Sequence, residues 1–335
     1  MTTTHRLDGF EPDNLLAFLA LLGLLRAIEA RDALHSKDER FLPRASWDLG
    51  SPPLRPVMHV AQSVSREEVA QAAAEGLEIL APDHDFSGRM DLDYSRQDAH
   101  SILDQEAGSA SVLTRGRVDL FAALMTDGAI KDEKKDDTVV PTPLCLLFGQ
   151  GHQHFLDRLT KVPMDPAPSR GGGRKNVRLT AAEYMAETLF ATWRRQDRTF
   201  SFRWDPEEDV RYALMAGDPT DITYKPGTQH GANRLAAVGL PLLTVVPQKR
   251  LGKVRISVIG GEFGADGFSF AWPIWKQPTT LVAIRRLLSH PDLRNPGPIT
   301  YLGVDHVLIA HRISVGKFMN FSRARPADND GYYER

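Results

Sequence analysis

The chain has 335 residues, 25% of them charged and 42% hydrophobic, with a formal net charge of −2. This is an ordinary globular composition, long enough for one large domain or two modest ones, and its charge balance excludes a general electrostatic binder of nucleic acid. The single cysteine, Cys145, excludes an internal disulfide and a cysteine-based zinc site; among Leu144, Leu146, Leu147 and Phe148 it reads as a buried thiol. Residues 1–150 carry 15 Lys and Arg against 25 Asp and Glu, a balance of −10; residues 151–335 carry 26 against 18, a balance of +8. That asymmetry points to a basic half facing a partner and an acidic half facing solvent or a basic neighbour.

In chain order, a turn with Gly9 and Pro12 leads into a helix from Leu15, capped by Asp13 or Asn14. The run Leu15–Leu25 is apolar on nearly every face, so its helix must be buried almost all round. It is too short to span a bilayer, which takes roughly 20 apolar residues. Asp8, Glu11 and Asp13 before it and Glu29 and Asp32 after it do not suit a secretory signal. The expectation is a cytoplasmic protein without a membrane segment.

Residues 41–59 read as extended, with a strand over Val57–Val60. Ser65 and Glu68 form a capping box for a helix to Leu80. Residues 81–94 hold turn signals and a short strand. Helices follow near Ala99–Glu106 and Val118–Met125, then an exposed charged loop at Lys131–Asp137 and a short helix over Gly151–Leu159. Residues 163–176, with three prolines and three successive glycines, mark a boundary. It separates a mainly helical, acidic region 1–165 from a basic α+β region 166–335. A second capping box, Thr180 with Glu183, opens a helix to Trp193. Strands are expected at Thr199–Trp204, Leu242–Val246, Val254–Ile259, Phe268–Trp272 and Val307–Ser314, with helices near Ala232–Val238 and Thr279–Leu288. The fold class is α+β: a helical N-terminal half with short strands, and a C-terminal half rich in antiparallel sheet.

Three basic clusters stand out. Arg170, Arg174, Lys175 and Arg178 surround the glycine run, and Asn176 adds an amide. Glycines let backbone amides approach phosphates while the cations neutralise them; no Gly-x-x-x-x-Gly-Lys-Ser/Thr pattern is present, so nucleotide hydrolysis is unsupported. Lys249, Arg250, Lys253 and Arg255 bracket Gly252 at a turn between strands, where cations either track a phosphate backbone or protect a sheet edge. Arg312, Lys317, Arg323 and Arg325 alternate with Phe318 and Phe321, a pattern that suits single-stranded nucleic acid as well as a plain core.

Histidines give the enzymatic alternative. His84-Asp85, flanked in sequence by His59 and His100, has the composition of a metal-holding doublet, although Pro82 and Gly88 put it in a turn rather than on a helix. A metal-dependent nuclease or phosphohydrolase built on it is the minority reading. The main expectation has no catalytic residues, no metal and no cofactor.

The opening Leu7-x-Gly9-x-x-Pro12-x-x-Leu15-Leu16-x-Phe18-Leu19-x-x-Leu22-Gly23-Leu24-Leu25-Arg26 resembles the N-terminus of large-subunit proteins in variant type I CRISPR systems, subtypes I-G or I-U. The order Trp204-Asp205-Pro206-x-x-Asp209-x-Arg211-Tyr212-Ala213-Leu214, then Gly231-Ala232-Asn233-x-Leu235-Ala236, resembles the same proteins. Those proteins belong to Cascade, an RNA-guided DNA-surveillance complex of antiviral defence. The resemblance implies a non-catalytic subunit that contacts target DNA beside the guide RNA, reads a short flanking motif and helps recruit a separate helicase-nuclease. The implied partners are other effector subunits, guide RNA and target double-stranded DNA; a guide-RNA-capping or processing subunit is the alternative within the same complex. Where that family often ends in a helical bundle, this chain reads as strands and a polar tail. The residues expected to contact nucleic acid are Arg170, Arg174, Lys175, Asn176, Arg178, Lys249, Arg250, Lys253, Lys317 and Arg323.

Overall fold

The computed structural model describes residues 2–111, 115–132, 136–146, 154–168, 179–208, 227–250, 253–295, 297–315 and 318–327. The fold is α+β, with helices concentrated in the N-terminal half and antiparallel sheet in the C-terminal half.

Helix α1 (Leu15–Ala33) is the centre of the packing. Asn14 caps it by accepting from the Ala17 amide at 3.4 Å, and Leu15 through Leu25 are buried without a break. Each fully buried leucine contributes roughly 2 kcal/mol of hydrophobic stabilisation. Helix α2 (Arg66–Leu80) packs against α1, and its Ser65–Glu68 capping box is formed as the sequence indicates. A three-stranded antiparallel sheet lies nearby, in the order β1 (Thr3–Arg6), β3 (Pro56–Val60), β2 (Arg44–Trp47).

The chain then forms α3 (Arg96–Ser109), α4 (Gly116–Leu124), a small hairpin of β4 (Ile130–Asp132) and β5 (Asp136–Val139), α5 (Phe155–Met164) and α6 (Ala181–Phe190). Helix α7 (His230–Gly239) is buried along its whole length and lies on α1. Among the described residues, strands β6 (Val245–Arg250) and β7 (Lys253–Val258) pair only with each other. The main sheet follows, in the order β11 (Phe318–Phe321), β10 (Val304–Val315), β9 (Gly267–Trp275), β8 (Gly261–Gly264); β12 (Arg325–Pro326) also pairs with β10. Helix α8 (Leu281–Leu288), capped by Thr280, follows β9.

Contacts join the regions on either side of the boundary expected at 163–176. Phe18 of α1 stacks on Trp272 of β9 at 5.3 Å, and Trp47 of β2 meets Trp275 edge-on at 6.1 Å. Ala45 and Thr279 exchange backbone hydrogen bonds of 3.0 and 2.8 Å. One hydrophobic cluster therefore runs from Leu7 to Ala324.

Four local expectations are corrected. The charged segment 131–137 contributes to the β4–β5 hairpin, because ladder bonds are backbone bonds and charged side chains are tolerated on short edge strands. Residues 199–204 form no strand: Arg203 is left-handed with φ 64°, and the polar groups of the segment make loop contacts. The region 81–94 holds a 3-10 turn at Ala81–His84 and no strand. The helix expected over 151–159 starts at Phe155 and continues to Met164; residues 151–153 lie outside the described residues.

Candidate nucleic-acid interface

The β6–β7 ribbon has two different faces, and its register fixes which residues share each. Gln248 pairs with Arg255 and Arg250 with Lys253, so these four positions lie on one face; Pro247 pairs with Ile256 and Lys249 with Val254 on the other. Ile256 and Val258 are buried in the main core, and Pro247 approaches Gly128, so the second face leans on the body at its base. Val246, Pro247, Gln248 and Lys249 are exposed in succession. A strand covered on one side would alternate, so four exposed residues in a row mark β6 as the open edge of a ribbon whose β7 strand is held to the body by buried Ile256, Ser257 and Val258. It carries Lys249 and Arg255 as exposed cations. A two-stranded ribbon fits the major groove of B-form DNA, and its outer cations track phosphates.

Beside the ribbon runs an open groove of about 860 Å³. One wall is Val246, Gln248, Lys249 and Ser257; the opposite wall is Ser289, His290 and Arg294, just past α8. Among the described residues Glu262 is the one carboxylate lining it, and the Arg294 guanidinium holds that carboxylate at 3.0 Å. Arg294 also donates to Ser269 Oγ at 2.9 Å, which fixes the wall.

The sequence-nominated residues divide by what surrounds them. Lys249 stands on the ribbon. Arg250 and Lys253 occupy facing positions at its far end. Arg170, Arg174, Lys175, Asn176, Arg178 and Lys317 lie outside the described residues. The chain entering the glycine-rich stretch is nevertheless firmly held. Arg234 of α7, buried, donates to Pro163 O at 3.0 Å and Pro166 O at 3.3 Å; burial lowers its pKa to about 10. His230 Nε2 is 2.7 Å from Asp165 O, and the Tyr184 hydroxyl donates to Pro168 O.

Arg323 is committed elsewhere. Its guanidinium meets Glu207 at 2.7 Å, Asp13 at 2.9 Å and Glu11 at 3.2 Å, while Ala324 donates to Asp13 O. It works as a clasp between the C-terminal strands and the N-terminal turn. Arg323→Ala is expected to cost about 1 kcal/mol, less in high salt because the pairs are exposed, and to leave the salt slope of nucleic-acid binding unchanged. Thermal unfolding at two salt concentrations checks the first part; an affinity titration checks the second.

The segments that carry the CRISPR resemblance converge. Asn14 Nδ2 donates to Asp205 Oδ1 at 2.9 Å, and the Leu16 amide donates to Trp204 O at 3.1 Å. Arg195 completes the node by pairing with Asp205 at 2.7 Å. Asn233 of α7 donates to Thr228 Oγ1 and Gln229 O, both at 3.0 Å. These motif residues are architectural: they fasten the start of α1 to the segments beside it. Residues 209–226, with Arg211, lie outside the described residues.

The histidine doublet does not form a joint site. His84 is buried, with neither ring nitrogen in good hydrogen-bond geometry, and Asp85 is exposed, accepting from the Ser87 amide at 2.8 Å. Burial, helped by the Arg26 and Arg117 charges, lowers the His84 pKa to about 3. His59 is 2.8 Å from Ser46 Oγ, and His100 is 2.8 Å from Asp127. Among the described residues, no group of three or more His, Cys, Asp or Glu side chains is placed to hold a metal ion. Cys145 is a buried thiol. Among the described residues no helix is long and apolar enough to cross a membrane.

Sequence reasoning did not find the groove. Its walls come from residues 246–249, 257–263 and 288–294, and no local pattern links them. Comparison with known protein families, with curated proteins and with solved structures finds no match to this chain.

Proposed function

We propose that this protein is a non-catalytic, nucleic-acid-contacting subunit of an RNA-guided, Cascade-like effector complex. The observation that carries the nucleic-acid part is the open outer end of the β6–β7 ribbon, which presents exposed Lys249 and Arg255. The resemblance of the N-terminal and 204–242 segments supports the assignment to an effector complex. Its partners are then other effector subunits, guide RNA, target double-stranded DNA and a separate helicase-nuclease; reading of the flanking motif belongs to the same proposal. The net charge of −2 implies weak binding by the isolated chain, with affinity completed by the assembly.

Two measurements test it. Tagged protein co-expressed with candidate effector subunits should co-purify with one short guide-type RNA; a lone, RNA-free protein removes the effector reading. Fluorescence anisotropy with labelled duplex DNA tests the ribbon. Lys249→Ala should weaken binding alike for every sequence and lower the slope of log K against log salt by about one. An unchanged slope removes the ribbon from the interface.

A further inference from the structure

Two arginines share one aromatic ring where the ribbon meets the main sheet. The Arg255 guanidinium carbon lies 5.2 Å from the centroid of Phe263, and that of Arg312 lies 5.6 Å from the same centroid. Arg312 is also 5.6 Å from the Phe268 ring and donates to Pro143 O at 3.3 Å. Phe263 in turn lines the groove beside the ribbon. Aromatic contact offsets only part of the cost of holding a guanidinium away from water. Among the described residues neither guanidinium has a carboxylate within ion-pair distance; the nearby Glu262 is taken by Arg294.

Arg312 is the more telling of the two. It is half-buried, and burial lowers its pKa, so it bears a desolvation cost without a carboxylate partner among the described residues. An arginine cannot escape that cost by losing its proton, because its pKa stays far above neutrality. A planar guanidinium held on a ring keeps its N–H edge oriented, which is the geometry that takes phosphate in a forked pair of hydrogen bonds.

We infer that Arg255 and Arg312, both placed on Phe263, form a phosphate-binding subsite where β7 meets the main sheet. The anion is a phosphate group, and in the working protein it is one phosphate of a nucleic-acid strand laid along the ribbon. The identity of that strand rests on the function proposed above; the anion site itself does not. Arg312 contributes a fixed, partly desolvated charge, and Arg255 an exposed one that closes over the ligand.

The test uses full-length protein and inorganic pyrophosphate as the probe, with sodium chloride matching the ionic strength. Pyrophosphate should raise the wild-type melting temperature by a few degrees, through preferential binding to the folded state. Arg255→Gln and Arg312→Gln should each lose most of that shift, while Lys249→Gln should keep it. The subsite is overturned by a wild type that shows no shift, or by a shift that survives in both arginine variants. Should Arg312→Gln fail to fold, the exposed Arg255→Gln decides alone. Labelled oligothymidine then separates the two claims. Binding whose salt slope falls by about one in Arg255→Gln supports both. A pyrophosphate shift lost in the variants, with no oligothymidine binding by the wild type, leaves the subsite standing and removes the nucleic-acid function.

Discussion

Gly23→Ala is expected to unfold the protein under conditions where the wild type is native. A Cβ at position 23 would lie 1.7 Å from the Leu235 carbonyl oxygen, and that oxygen belongs to the backbone of α7. A backbone cannot turn aside as a side-chain tip can. The facing glycine shows how close the approach is: a Cβ at Gly239 would meet Leu19 O at 2.8 Å and Gly23 N at 3.0 Å. Alanine at 23 must therefore push α1 and α7 apart along an interface in which both helices are buried. Overpacking of a rigid core costs about 1–3 kcal/mol, and more where the obstacle is backbone. The expected loss is about 3 kcal/mol or more, read as a lowered urea midpoint or as insoluble protein. Gly108→Ala is the control. Gly108 sits in α3, and a Cβ there would meet nothing within 4 Å. Alanine at that position should stabilise by roughly 0.5–1 kcal/mol. Equal midpoints for Gly23→Ala and wild type would show that the helices do not approach this closely.

Much of this packing is legible in the residues, because it depends on local chemistry. The uninterrupted apolar run after Asn14 demands burial on every side, and α1 has it. The Ser65–Glu68 and Thr180–Glu183 spacings place two helix starts, since a capping box needs only four residues to close. Where long-range contacts decide, the residues mislead. Thr199–Trp204 has the β-branched and aromatic content of a strand. Its polar groups are instead fixed by distant partners: the Phe202 amide donates to Asn233 Oδ1, Arg158 donates to Ser201 O, and Trp204 Nε1 donates to Leu144 O. The interface divides in the same way. The turn cations at 249–255 are visible as a cluster, but nothing in the sequence says that β6 is exposed from Val246 to Lys249 while the β7 strand it pairs with is buried at Ile256–Val258. Arg255 and Arg312 are visible as cations too; that they meet on Phe263 depends on the sheet's tertiary arrangement. Arg323 has the sequence setting of a contact residue, and its three carboxylate partners lie 116 or more positions away in sequence.

Replacing His84 with leucine is expected to protect the protein against acid. Burial, with Arg26 and Arg117 opposing the charge, lowers the His84 pKa from 6.5 to about 3 in the folded state. Between those values the unfolded chain binds a proton at this position and the folded chain does not. Stability contributed here is therefore complete above pH 6.5 and is lost as pH falls toward 3. The full shift corresponds to about 5 kcal/mol, of which roughly 3 kcal/mol is already lost at about pH 4. Leucine fills the site without a titrating group and removes two buried ring nitrogens that make no well-formed hydrogen bond, so near pH 7.5 it should change stability little. Glu208 provides the opposite sign. It is buried against Ser201, and burial raises its pKa from 4.5 to about 7. Its folded form holds a proton that the unfolded form has released, so its contribution falls as pH rises from 4.5 to 7. Glu208→Gln should remove that fall and leave the acid limb intact. Urea midpoints measured from about pH 4 to about pH 7.5 separate the two groups. His84→Leu should gain on the wild type as pH decreases, and Glu208→Gln should gain as pH increases. Parallel profiles for wild type and His84→Leu would mean that His84 takes up its proton in the folded state as readily as in the unfolded one.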